Sequence, residues 1–162
     1  MRTIVAHHAA GTNERSGFDS RPTGRVLVAL TDSCSSVAAL GVGVLLARQR
    51  GSVLRIIAVA PRMPMGIWCA PVAVPWTAEQ LQGDALEAAR ELSARALSLV
   101  DGHVCAHTSA ASGRPQHLLA PLIQTGLFTA IVVPGEWAAR PSFRRAARRW
   151  RRSGVELHAV WS

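Results

Sequence analysis

Apolar residues cluster in short runs along the chain, and longer amphipathic stretches separate those runs. RVLVAL at Arg25–Leu30, VLRIIAV at Val53–Val59 and LFTAIVV at Leu127–Val133 are almost free of polar positions. Each has the length and β-branched character of a buried strand. Two weaker runs, Val104–Thr108 and Val155–Trp161, complete a set of five. Between the first two lies Thr31-Asp32-Ser33-Cys34-Ser35-Ser36, a run of helix-capping residues. Val37, Leu40, Gly41, Val44 and Leu45 then recur at helical spacing, Arg48 and Arg50 fall in the last turn, and Gly51 supplies a stop. Strand, helix and strand in so short a span predict a βαβ unit, with parallel pairing and a right-handed crossover.

The pattern repeats downstream. Leu81, Ala85, Ala89, Leu92, Ala96 and Leu99 form one stripe of a helix over Glu79–Val100, while Glu87, Arg90, Glu91 and Arg95 lie off it. The acids and arginines pair locally at i,i+3 and i,i+4, which contributes little. Gly113-Arg114-Pro115 opens a third helix, with Leu118, Leu119, Leu122 and Ile123 as its apolar face and Gly126 as its stop. Pro121 predicts a kink or a late start there. Ser142–Arg152 reads as a basic amphipathic helix ended by Gly154. The expectation is a single doubly wound α/β domain over residues 25–162, with five parallel strands and helices on both faces of the sheet. Met1–Gly24, polar and aperiodic, reads as a disordered tail. Met63–Thr77 is an apolar, proline-rich connection, read equally as a lid or partner surface and as core folded over the end of the sheet.

At 162 residues the chain fits one domain. Charge changes the picture in one place only. The net charge is +8, yet seven arginines fall between Arg140 and Arg152, and the rest of the chain is close to neutral. A partner carrying negative charge, whether nucleic acid, phosphate or an acidic protein, is therefore sought at that helix. The three cysteines, Cys34, Cys69 and Cys105, are widely spaced and form no Cys-x-x-Cys, which favours reduced thiols in the cytoplasm over a disulfide framework. Arg2 is followed by no apolar run, so no secretory leader is predicted. The longest uncharged run is broken by Pro64, Pro71 and Pro75, so no membrane span is predicted either.

The order RVLVALTDS, a helix ending ARQRG, then VLRIIAVAP resembles the opening of the universal stress protein family. ALEAARELSARALSLV resembles that family's second helix. Gly113-Arg114-Pro115 resembles its Gly-Asp-Pro opening of the third helix, with Arg114 in place of the Asp. AIVVPGE and VELHAVW resemble its fourth and fifth strands. The resemblance covers Arg25 onward and implies strand order 3-2-1-4-5, with a ligand cleft where the order reverses at the carboxyl ends of strands 1 and 4. It implies a cleft lined by Thr31, Asp32, Ser33, Val59, Gly113 and Gly135, and a homodimer through the last strand, an exposed sheet edge.

ATP-binding members of that family carry Gly-x-x-Gly, nine residues, then Gly-Ser or Gly-Thr after strand 4, so that backbone amides can curl around phosphates. Here the segment reads PGEWAARPSFRRAARRW, with Gly135 and no second glycine before Gly154. Glu136 and Trp137 place negative charge and bulk where phosphates would lie, and Thr31 replaces the family's acid after strand 1. The sequence therefore disfavours ATP and predicts no cofactor. No nucleophile–base pair stands out, and the expectation is a non-enzymatic binding domain. An adenine-nucleotide sensor using a rearranged loop stays open as an alternative.

Candidate side chains carry simpler readings beside the functional ones. Asp32 or Ser33 is expected to cap the first helix. Arg144, Arg145, Arg148, Arg149, Arg151 and Arg152 form either an anion surface or a solvated face, with Phe143, Ala147 and Trp150 turned to the sheet. His103, Cys105 and His107 alternate on the third strand about 6.6 Å apart, and are expected to pack rather than hold metal. Cys34, at a helix start, is expected to be a small buried residue rather than a reactive thiol.

Overall fold

The computed structural model describes residues 24–60, 78–100 and 102–161. The tail read over Met1–Gly24 lies outside them except for Gly24, and the proline-rich connection lies outside them altogether. The elements are β1 (Arg25–Leu30), α1 (Cys34–Arg50), β2 (Val53–Ala60), α2 (Ala78–Ser98) and β3 (Ala106–Ser112). They continue with α3 (Pro115–Gln124), β4 (Phe128–Pro134), α4 (Gly135–Ala138), α5 (Pro141–Arg152) and β5 (Glu156–Val160). The five strands form one sheet in the order β3-β2-β1-β4-β5, every pair parallel. The predicted topology is therefore the observed one.

Alternation along the central strands sends side chains to two cores. Leu27, Ala29, Ile57, Val59, Ile131 and Val133 face α3 and α5, where they meet Leu119, Ile123, Phe143, Ala147 and Trp150. Val26, Val28, Leu54, Ile56, Ala130 and Val132 face the other way, toward Ala39, Leu40 and Ala47 of α1 and Ala96 of α2. Burial on both faces is why β1, β2 and β4 read as apolar runs, with Arg55 and Thr129 at half-buried positions near the strand starts.

Several expectations need correction. The buried line of α1 consists of Ser35, Ser36, Ala39, Leu40, Gly43 and Ala47, while Val37 and Leu45 face solvent at 69% and 55% exposure. The cause is close approach: a Cβ on Gly43 would lie 2.0 Å from a Val28 methyl, so only small residues fit between α1 and β1. On α2, Ala89, Ser93 and Ala96 are buried, but Leu99 lies past the helix end and is exposed. The third strand begins at Ala106 instead of Val104 and runs on to Ser112. Val104 is buried ahead of it, and the strand itself, AHTSAAS, lies at a half-buried edge where apolar residues are not required. The third helix starts at Pro115 and continues through Pro121, which sits exposed inside it. The four-residue α4 was not expected at all.

Candidate functional site in the crevice between the first and fourth strands

The chain leaves β1 at Thr31 and enters α1 through a tight web of hydroxyls. The Thr31 N–H donates to Ser36 Oγ at 3.0 Å, and the Ser36 hydroxyl donates back to the Thr31 carbonyl. The Ser33 N–H also donates to the Thr31 carbonyl, at 2.8 Å. Ser33 occupies the N-cap position with extended dihedrals, but its hydroxyl makes no bond to a helix N–H. It pairs instead with the hydroxyls of Ser35 at 3.1 Å and Ser36 at 3.3 Å. The expected cap is thus right in position and wrong in bonding, because neighbouring hydroxyls compete for the same oxygen. Cys34, the first residue of α1, is exposed rather than buried.

Across the crevice, β4 ends at Pro134 and α4 begins. The Ser35 hydroxyl donates to Glu136 Oε2 at 2.6 Å, joining the start of α1 to the end of β4. The other carboxylate oxygen, Oε1, is buried with no hydrogen-bond partner among the described residues. Burial alone would push the Glu136 carboxyl up. Hydrogen bonds from Ser33 and Ser35, a backbone hydrogen bond and the charge of Arg140 outweigh it and hold the group below its ordinary value. A carboxylate at the start of α1 is also favoured by the helix dipole. The negative charge of Glu136 thus lies beside the start of α1.

The bulk expected of Trp137 does not lie there. Trp137 turns into the core against Phe143, with ring centroids 6.3 Å apart. Trp161, just past β5, fills the space instead: a Cβ on Gly135 would lie 2.2 Å from its indole ring. Gly135 is accordingly buried under an aromatic ring. Sequence reasoning missed this, because it read Trp161 as the last residue of the fifth strand, whereas β5 ends at Val160.

The remaining cleft residues are divided. Asp32 and Val59 line a hollow of about 350 Å³ with Ala60, Ala85, Ala89 and Leu92, on the β2 side of β1. Gly113, with φ of 149°, lies beyond β3, where its N–H donates to the Ala60 carbonyl at 3.2 Å. Thr31, Ser33 and Gly135 therefore border the β1–β4 crevice, Asp32 and Val59 line the hollow toward β2 and α2, and Gly113 closes the β2–β3 end. His103 and Cys105 precede β3, so the expected alternation on one strand face is absent, although Cys105 Sγ lies 3.9 Å from His107 Nε2. Among the described residues no three His, Cys, Asp or Glu side chains are grouped to share a metal ion.

On α5, Phe143, Ala147 and Trp150 are buried, as their spacing predicts, and all six arginines from Arg144 to Arg152 are exposed. No described helix is long and apolar enough to cross a membrane.

No family model matches the chain, and no sequence of a curated protein does. Solved structures do match. A member of the universal stress protein family from Burkholderia pseudomallei superposes with a TM-score of 0.61 at 17% identity, covering 85% of this chain and 95% of the other. A universal stress protein in complex with cAMP matches at 0.54 and 20% identity, over 85% and 96% of the two chains. The universal stress protein from Archaeoglobus fulgidus in complex with dAMP matches at 0.54 and 15% identity, over 86% and 98%. The fold is that of the universal stress proteins, as the sequence resemblance implied.

Proposed function

We propose that the chain is a non-enzymatic binding and regulatory domain of the universal stress protein type, spanning residues 25–162 and acting in the cytoplasm as a homodimer. Its β1–β4 crevice is occupied by its own side chains and does not take ATP through a glycine loop. The observation that carries this reading is the Ser35–Glu136 hydrogen bond of 2.6 Å. It sets a carboxylate beside the start of α1, where a ligand phosphate would seek the helix N–H groups. A triphosphate entering there meets like charge and must also displace the indole of Trp161 from Gly135. Calorimetric titration with Mg-ATP is expected to give no saturable heat, and micromolar affinity would overturn the reading.

The dimer rests on β5. It is an edge strand, its free side is unpaired among the described residues, and Trp161 beside it is 64% exposed. Light scattering should give twice the chain mass, and a monomer at all concentrations would remove this part of the proposal.

A second reading is favoured by the hollow beside Asp32 and Val59, which α2 walls with Ala85, Ala88, Ala89 and Leu92 together with Glu91 and Arg95. Similar folds have been solved with cAMP and dAMP, ligands smaller than ATP. On this reading the chain senses an adenine mononucleotide. Saturable cAMP or AMP binding that is lost in Asp32→Ala would establish it.

A further inference from the structure

Arg114, at the start of α3, is far in sequence from the arginine run, yet it shares a groove with Arg145 and Arg149 of α5. The groove runs between the two helices, encloses about 490 Å³, and is also lined by His117, Gln124 and Ser142. No carboxylate lines it. None of the three guanidinium groups has an acidic partner among the described residues. Arg145 and Arg149 are one helical turn apart on α5, about 6 Å along the axis, and Arg114 joins the same lining from the start of α3.

We propose that the α3–α5 groove docks the backbone of a nucleic acid without reading its sequence. The inference is independent of the reading of the β1–β4 crevice. Guanidinium forks joined by amide, hydroxyl and imidazole donors are the set that contacts phosphate and sugar. The one large aromatic in the groove, Trp150, is 6% exposed and offers no free face on which a base can stack. The groove therefore holds a chain of phosphates and leaves the bases unread. An acidic protein segment fits less well, because interfaces of that kind are anchored by large apolar side chains, and here the one large apolar side chain of the lining, Trp150, is buried. Arg144, Arg148 and Arg152 extend the positive field beyond the groove, which a polymer uses and a small anion does not.

The test is fluorescence anisotropy of the full chain with a short labelled DNA duplex of mixed sequence, over about 50 to 200 mM salt. The expected affinity is in the range of about 10⁻⁴ to 10⁻⁶ M, independent of sequence and steeply salt-dependent. Replacing Arg114, Arg145 and Arg149 together with Gln should weaken binding about tenfold or more and lower the log–log salt slope by about 3, one for each phosphate no longer neutralised. Replacing the same three with Lys keeps the charge and should keep most of the slope. An equal loss of charge outside the groove, Arg144→Gln with Arg148→Gln and Arg152→Gln, should cost clearly less. All six positions are exposed, and thermal melts will show that the variants stay folded. The proposal is overturned by equal effects of the two Gln triplets, by competition from polyglutamate as strong as from unlabelled duplex, or by absence of salt-dependent binding in the parent chain.

Discussion

The β1–β4 crevice and the α3–α5 groove are opposites in how they treat charge. In the crevice, the one carboxylate is bound by a serine hydroxyl, sits at a helix start and lies near Arg140, so the charge is answered within the fold. In the groove, three arginines share one lining with no acidic partner among the described residues. The crevice lies where the topology of an open α/β sheet places ligands. The groove lies on the outside of a helix pair, where the fold alone makes no such demand. Position in a fold and availability for a ligand are separate properties, and on the readings proposed above they point to different places in this chain.

The comparison can be strained from beneath. Phe143 is 1% exposed and stacks edge-on against Trp150, with centroids 5.4 Å apart, so it supports the floor of the groove. Phe143→Ala is expected to cost about 3–5 kcal/mol in urea unfolding and to loosen the groove. A much smaller loss would mean that the floor is not rigid. On the crevice side, Gly43→Val forces a branched side chain between α1 and Val28 and should cost about 2 kcal/mol or more. Gly41→Ala, two residues away with open space around it, should be neutral or stabilising by up to about 1 kcal/mol.

Glu136→Gln tests the crevice directly. The carboxyl is held below its ordinary value in the folded state, so its contribution is complete above the unfolded value of about 4.3. The contribution disappears as pH falls through the lower folded value. Unfolding free energy measured from neutral pH downward should drop in that acidic window in the parent chain and stay flatter in Glu136→Gln. At neutral pH the variant should lose about 1 kcal/mol, since the residue is only partly buried. The smallest effect is expected at Arg148→Gln. Its side chain is exposed and outside the groove, and the change in stability should stay within about 0.5 kcal/mol. A large loss there would show that the helix arginines are structural.

The sheet was legible because β1, β2 and β4 are buried on both faces and carry few polar residues. β3 was legible in existence but misplaced, since an edge strand tolerates Ala, Ser, Thr and His and carries no apolar run. The face of α1 was misread because large apolar residues draw attention, whereas the tight contact with β1 selects glycine, alanine and serine. At the crevice, Glu136 was foreseen because it follows Gly135 in sequence. Ser35 lies 101 residues before Glu136, and Trp161 comes only after the whole of α5 and β5. Pairings across such spans leave no local pattern. The groove was half visible: the α5 arginines form a run, but Arg114, His117 and Gln124 join them only through helix packing.

Trp161 lies with its ring over Gly135 and most of its surface in water. An indole in that position responds optically to its surroundings, so the crevice carries its own light source. A molecule that slides under the ring must lift it, one that settles above must shield it, and both change the colour or brightness of its emission. In a variant that keeps Trp161 as the sole tryptophan of the five, occupancy of the crevice can thus be watched without attaching a dye.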